Sequence, residues 1–544
     1  VQELRLVPTA LCVWIATIAA VALAPWAGFA VVAAAVVLCG CARAVGQAVL
    51  VSSGGVAAVV VAWVRIAVAR AGTLRLPVEA TVTAAPKELA SGGMLVRVRA
   101  GSGGAELPVF VRGGVPDGVV SGATVRVDGT VSESSRAGVN PWAVNGTIEP
   151  LTAPTGASGW AQHVRATFAD AVREHVGEHS QGLIPGMVLG DTSMQGASEQ
   201  QAYIATGLSH LSAVSGANVA IVTTFAVVVA AALRIGLYGR LVAAGAALAV
   251  FALLVGPEPS VLRASVMGLV GLVAVVASSQ TEVIHALCLA VIALIFFDTD
   301  LAMHYGFALS IAATVGIVVL FPLFYKALAP TALPDILVRA VAVAIAADVA
   351  TMPLVAAMAG QVSLVSVGAN VLVAPVTPLV TVLGLCAVVL AVLPGGLEAI
   401  VLWVISPLTW WVHTVAERGA ALPAATVAAN PVTVLIGYGW VVAVLLLVPW
   451  RRQTLALCLT CAVVASACIA WPRGTVVDPA TLRSHVVATK DDILPVPPGT
   501  QLVVVLEEGS APKRPAATPD GIPVIFPNRG AVPVLYADGR QQLR

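Results

Sequence analysis

The sequence predicts a multi-pass α-helical membrane protein with an inserted small all-β, OB-like domain and a short β-rich C-terminal tail. Three observations carry this. Of 544 residues, 58% are hydrophobic and only 10% charged, with mean hydropathy +0.94, a balance foreign to a soluble chain of this size. Apolar runs near the ~20 residues that a membrane span needs recur along most of the chain. Between them, residues 72–150 switch to the two-residue period of strands, punctuated by Gly and Pro.

Taken in order, residues 1–71 hold three apolar segments, Leu6–Leu23, Gly28–Cys41 and Val49–Ala69. Arg5 and the small residues Ala20, Ala22 and Ala24 imitate a signal peptide, but apolar text resumes at Gly28, so a retained first span is expected. The β domain, 72–150, shows five strand-like runs: Leu76–Thr83, Met94–Arg99, Glu106–Val111, Thr124–Val131 and Val144–Glu149. Five short strands suit an OB-fold barrel. Its seven Lys/Arg balance seven Asp/Glu and its aromatics are Phe110 and Trp142, thin support for a nucleic-acid groove, so a structural cap on the membrane part stands beside that reading.

Residues 151–208 read as amphipathic, interfacial helices, with Trp160, Val164, Phe168, Ala171 and Val172 on one face of Ala157–Gly177. A membrane domain, 209–471, follows with spans near Leu211–Ala232, Leu241–Val255, Ser260–Ser278, Val283–Phe297, Leu301–Phe324, Ile336–Ala359, Val362–Leu393, Ala399–Ala416, Val432–Val448 and Thr454–Trp471. With the first three these make thirteen. A cytoplasmic N-terminus then puts Arg234, Arg240, Lys326, Arg339, Arg451 and Arg452 inside, obeying the positive-inside rule, with Arg70 and Arg75 as exceptions. The β domain and the tail, 472–544, fall on the extracytoplasmic side. The tail has strand-like runs at His485–Thr489, Gln501–Leu506, Pro523–Phe526 and Val532–Tyr536, and a loop at Ala511–Pro519.

Net charge is +1, so any polyanion contact must be local. The eight cysteines all lie in apolar segments, which argues against a disulfide framework or a cysteine zinc site. His175-Val-Gly-Glu-His179 matches the H-x-x-E-H zinc-peptidase pattern, but Gly177 weakens the helix that the motif requires, so no metal and no cofactor are expected. A GxxxxGK[ST] phosphate loop is absent, so energy for any transport is expected from a partner or a gradient.

The least ordinary text is Gly182–Val222. Gly182, Gly186 and Gly190 recur every four residues, as on a helix face that another backbone approaches closely. Asp191 follows, then Gly207-Leu-Ser-His210. Beyond it, Ser209, Ser212, Ser215, Gly216 and Thr223 fall on one side of a helix, with Asn218 just outside that arc. Hydroxyls and glycines of this kind also serve plain helix packing. Ionisable groups inside spans are costly and mark functional candidates. Arg263, one turn into its span, and Asp348, near the middle of its own, stand out. A charge-neutralising pair of Arg263 with Asp348 or Asp191 is one expectation; a transport path is the other, and the two are compatible. Asn370, Pro375 and Pro378 interrupt a further span, as in broken helices that line cavities.

These motifs resemble the ComEC competence-channel family. GLxxGxxLGD at Gly182–Asp191 and GLSHLxAVSG at Gly207–Gly216 are similar to its signature, with Asn218 where the family usually has His. Pro259-Ser260 with Arg263-Ala264 resembles PSxxRA, and Gly306-Phe-Ala-Leu-Ser310 resembles GFQLS with Ala308 in place of Gln. Asp348–Val376 resembles ATxPL…NLLxxP. The resemblance implies a channel for single-stranded DNA in the bacterial cytoplasmic membrane during transformation, working with a surface DNA receptor and a cytoplasmic DNA-translocating ATPase. Many members end in a metallo-β-lactamase-like domain with an HxHxDH cluster; here only His485 follows the last span, so nuclease activity is not expected. A multi-pass membrane enzyme using Asp191, His210 and Asp348 as acid/base groups, or a transporter of another solute, remain as alternatives.

Overall fold

The computed structural model describes residues 4–71, 75–88, 93–100, 106–134, 136–276, 282–331, 333–436 and short pieces between 476 and 542. The segments Val432–Val448 and Thr454–Trp471, read above as spans, lie mostly or wholly outside the described residues, as does most of the Ala511–Pro519 loop.

Three apolar helices open the chain: α1 (Val7–Ala22), α2 (Pro25–Cys41) and α3 (Val45–Ala71). Pro8 and Pro25 stand in the first turns of α1 and α2, where a missing N–H costs nothing. The helices pack closely because small residues face large ones: a Cβ on Gly28 would sit 2.8 Å from the Ala16 carbonyl, and one on Gly55 2.7 Å from Val32.

The chain then forms β1 (Val78–Val82), β2 (Lys87–Glu88), β3 (Met94–Arg99), β4 (Leu107–Val111), β5 (Thr124–Glu133) and β6 (Trp142–Thr152). The sheet order β1-β5-β6-β4-β3 closes on itself through the β1–β3 pairing, and β4–β6 is its parallel pair. This is the small five-strand barrel that the alternation predicts, with the two-residue β2 added at the edge of β3. Val96, Val98, Val109, Val125, Val127 and Val144 fill its core and are fully buried.

Four helices lead into the membrane domain: α4 (Gly156–His175), α5 (Glu178–Gln181), α6 (Leu183–Leu189) and α7 (Ala197–Ala205). The apolar face of α4 is as expected except at Trp160, which is 45% exposed. That face belongs to the largest core of the protein: Val164, Phe168 and Val172 of α4 join Ile184 and Val188 of α6. The same cluster continues into residues of the later helices, including Val380, Leu402 and Val412.

The remaining helices are α8 (Gly216–Ala232), α9 (Leu237–Val255), α10 (Pro259–Val276), α11 (Val283–Phe297), α12 (Tyr305–Leu328), α13 (Asp335–Ala359), α14 (Ser366–Val373), α15 (Thr377–Val392) and α16 (Glu398–Ala420). Among the described residues, α3, α9, α12, α13 and α16 are long and apolar enough to cross a membrane singly. The pair α14 and α15, bent by 53°, adds a sixth if it counts as one span. α1, α2, α8, α11 and Pro259–Ala274 of α10 are apolar but shorter. Apolar helices thus coincide with each predicted span up to Ala416, while the length test admits five or six crossings. The break falls at residues 374–376, around Pro375; Pro378 stands in the first turn of the next helix, which starts at Thr377, and Asn370 lies inside α14.

Two contacts tie the layers together. The Val139 N–H of the barrel donates to Asp300 Oδ1 at 2.7 Å, docking the barrel on the turn between α11 and α12. Beyond α13, β7 (Gln361–Ser363) pairs antiparallel with β8 (Thr426–Ala428) after α16. The C-terminal pieces form small sheets; β9 (Ser484–Val487), β10 (Leu502–Val505) and β11 (Pro523–Ile525) run parallel, matching three of the strand-like runs, and Val534–Tyr536 matches the fourth.

Candidate functional site

The glycine-rich stretch is not a membrane helix with a polar stripe. α5 and α6 are separate turns meeting at Gly182, and α6 ends where Gly190 takes the left-handed conformation, φ +76°, that a side chain would strain. The three glycines therefore form no continuous ridge. The close approach expected of them is real but local: a Cβ on Gly182 would lie 2.9 Å from Gln195 Cα, and one on Gly186 3.3 Å from the Ser212 carbonyl. They let the 191–215 segment fold back against α6.

Ser209–Ser212 is a 3-10 turn, residues 213–215 are extended, and α8 begins only at Gly216. The predicted stripe is thus split between non-helical backbone and a helix. An apolar run hides this change, because hydrophobicity alone does not distinguish a span from buried irregular backbone. The bonds that hold the irregular piece come from side chains. Gln195 Nε2 donates to Ser212 Oγ at 2.9 Å, Ser260 Oγ donates to the Val214 carbonyl at 2.7 Å, and Asn218, buried, donates to the Met187 carbonyl at 2.7 Å. Ser215 Oγ donates to Asn218 Oδ1 at 3.1 Å.

The candidates gather at the two ends of this segment. At one end Gly207, φ +69°, turns the chain so tightly against α14 that a Cβ there would lie 2.5 Å from Ser366 Cβ. Ser366 Oγ donates to Asp348 Oδ1 at 2.6 Å, and Asn370 donates to the Ser366 carbonyl at 2.9 Å. His210 binds the Gly207 carbonyl through Nδ1 at 3.1 Å. Its side chain is exposed.

At the other end Arg263, 8% exposed, donates from Nε to Ser310 Oγ at 2.8 Å and from Nη1 to Met267 Sδ at 3.1 Å. Its Nη2 abuts Gly216, 3.2 Å from where a Cβ would stand. The expected ion pair of Arg263 with Asp348 or Asp191 is not formed; each finds another partner. Asp348 is held by Ser366, and Asp191 accepts from the Ser193 N–H at 2.9 Å in its own loop.

Sequence reasoning missed a further cluster. His179 stacks on His413 of α16, ring centroids 5.1 Å apart, and His413 Nε2 lies 3.1 Å from Glu417 Oε1. Nearby, Tyr203 donates to Glu199 at 2.7 Å; burial raises the Glu199 pKa, partly offset by that bond and by the two imidazoles. The i, i+4 spacings of Glu199 with Tyr203 and His413 with Glu417 were the available signal. The H-x-x-E-H helix is interrupted as Gly177 suggests: α4 ends at His175, whose Nδ1 binds the Ala171 carbonyl, and α5 starts at Glu178. Among the described residues no three His, Cys, Asp or Glu are placed to share a metal ion.

Four sequence motifs therefore meet in space. Ser310 of the GFALS run binds Arg263 of the PSxxRA run; Ser260 of that run binds Val214 of the GLSHLSAVSG run; Gly207 of the latter packs on Ser366, which binds Asp348. Comparison with known proteins reaches the same segment. A family model described as Competence protein matches residues 187–453. ComE operon protein 3 of Bacillus subtilis (strain 168) is 25% identical over 290 residues, covering 51% of this chain and 35% of the relative, so the match spans about a third of that protein. No solved structure matches. The segment in which these motifs converge is thus the one similar to the Competence protein family.

Proposed function

We propose that this protein takes part in competence DNA uptake as the passage for single-stranded DNA across the bacterial cytoplasmic membrane. The observation that carries the reading is the irregular segment Gly207–Ser215, a 3-10 turn followed by extended chain, which bears exposed Ser209, His210 and Ala213 inside the family-matching domain. Irregular backbone at membrane depth is tolerated where it is buried in protein or lines a water-filled cavity, and a polyanion crosses hydrocarbon only through such a lining. Hydroxyls, small residues and an imidazole offer a polar surface along this segment.

The orientation follows from parity. Val139 bonds Asp300, so the barrel lies on the side of the α11–α12 turn, four predicted spans (α8–α11) later in the chain. The β7–β8 pairing puts the end of α13 beside the end of α16, which requires α14 and α15 to act as one crossing if α16 is another. With Arg234, Arg240, Lys326 and Arg339 cytoplasmic, the barrel faces outward. A surface receptor then delivers DNA on the barrel side, and a cytoplasmic ATPase draws it in. An enzymatic reading is less well supported, because Asp191 is bonded in its own loop while His210 and Asp348 belong to the Gly207–Ser366 contact. Deleting the gene in its source cells tests the proposal: nuclease-protected uptake of labelled DNA is expected to vanish, and uptake at the parental level overturns it.

A further inference from the structure

Among the described residues, Arg263 is a buried cation without a counter-ion. Its partners among the described residues are a hydroxyl and a thioether, and no carboxylate comes within ion-pair distance. Burying a charge is expensive unless it is paired, and a neutral hydroxyl does not neutralise it. Nη2 makes no hydrogen bond among the described residues and is directed at the first residue of α8.

That helix end is itself unfinished. Ser215 is the N-cap residue, a type that ordinarily binds the amides of the first turn. Here its hydroxyl is given to Asn218 Oδ1, and Asn218 is in turn fixed on the Met187 carbonyl. The Asn218 N–H binds the Ser215 carbonyl, so the amides of Gly216 and Ala217 are left without a side-chain cap. Gly216 is partly exposed and Ala217 exposed, so the spot is reachable from outside the bundle. The N-terminus of a seventeen-residue helix carries about half a positive charge and outward N–H groups. A guanidinium directed at the same point adds a full charge and a flat fork of donors.

Resting on the passage reading above, we infer that Arg263 and the N-terminal amides of α8 form one anion site that takes a phosphodiester group. Gly216 is required there, since a methyl at that position would crowd Nη2 at 3.2 Å and Ala264 Cβ at 3.4 Å. The site holds one phosphate at a time at the start of α8, beside the Gly207–Ser215 segment, and so registers the backbone without reading bases.

The same chemistry is offered by a DNA backbone and by an anionic lipid headgroup, and the test separates them. Full-length protein in phosphatidylcholine nanodiscs is titrated with a fluorescent oligothymidylate at several salt concentrations, with a thymine peptide nucleic acid as the uncharged competitor. Wild type is expected to bind the oligonucleotide and ignore the competitor. Arg263→Gln is expected to weaken binding about tenfold and to lower the slope of log affinity against log salt by about 0.7, the loss of one single-strand phosphate contact. Gly216→Ala, which removes no charge, is expected to weaken binding in the same direction if Arg263→Gln is poorly folded. Oligonucleotide binding with affinity and salt slope unchanged in both variants overturns the site while leaving the passage reading intact. No oligonucleotide binding by wild type, together with Arg263-dependent retention of phosphatidylglycerol in native mass spectrometry, confirms the anion site but overturns DNA as its source and the passage reading with it.

Discussion

Ser366 Oγ donates to Asp348 Oδ1 at 2.6 Å, joining the broken helix pair α14–α15 to the middle of α13. Hydrogen bonds to a charged acceptor contribute about 1.5–3 kcal/mol, and losing the donor leaves the carboxylate unsatisfied. A double-mutant cycle of Ser366→Ala and Asp348→Ala, read by thermal unfolding in detergent, should show coupling of that order. Strictly additive effects would mean that the two side chains do not act on one another.

Arg263 and Asp348 should not rescue each other. Arg263 is held by Ser310 and Met267, and Asp348 by Ser366, so exchanging the charges places each in the other's neutral surroundings. Arg263→Asp combined with Asp348→Arg is expected to accumulate no better in membranes than the weaker single variant. Recovery to wild-type abundance on immunoblots would show a direct pair that the structure lacks.

The turn on which the barrel docks through Asp300 holds a second, half-buried carboxylate, Asp298. Burial raises the pKa of Asp298 above its ordinary 3.8, Glu106 adds to the rise, and Arg65 and Arg99 oppose it. A raised acid pKa means that the folded state binds protons more readily than the unfolded state. Stability from this group is therefore greatest below 3.8 and is lost as pH rises through the raised value. Asp298→Asn keeps an oxygen acceptor for the Asp300 N–H and removes the buried charge. It should raise the unfolding temperature at pH 7 by about 1–2 °C, with the gain shrinking toward acid pH. A lower unfolding temperature at pH 7 would mean that attraction to Arg65 outweighs burial.

Side assignment is checked by fusions of a reporter enzyme active only outside the cytoplasm. Insertions after Gly114 in the barrel and after the C-terminal Arg544 should be active, and one after Gly396, between α15 and α16, inactive. Equal signals at Gly114 and Gly396 would break the parity drawn from the Val139–Asp300 and β7–β8 contacts.

How far the sequence carried the structure depended on what kind of order each part uses. The barrel was legible because Val96, Val98, Val109 and Val127 alternate with outward residues, and alternation has one geometric meaning. The broken helix was legible because Pro375 cannot continue α14. Residues 207–215 were not, because the same apolar text suits a helix and a buried irregular segment, and the decision lies with Gln195, Ser260 and Asn218, which come from elsewhere in the chain. The Arg263 partner was misjudged for a related reason. Charge complementarity suggested Asp348, but the helix geometry brought Ser310 within 2.8 Å instead. His179 and His413 lie far apart in sequence and share no motif, so nothing in the text announces their stacking.

The proposed passage of DNA along Gly207–Ser215 is tested by photo-crosslinking of DNA stalled in transit. Labelled transforming DNA carrying a bulky block at its trailing end is trapped in cells whose protein bears p-azidophenylalanine at His210, at Ala213, or at Trp403, a residue 66% exposed on α16. Covalent DNA adducts are expected at His210 and Ala213 and none at Trp403. Adducts absent from both His210 and Ala213, in cells that take up DNA normally and make normal amounts of each variant, would contradict it.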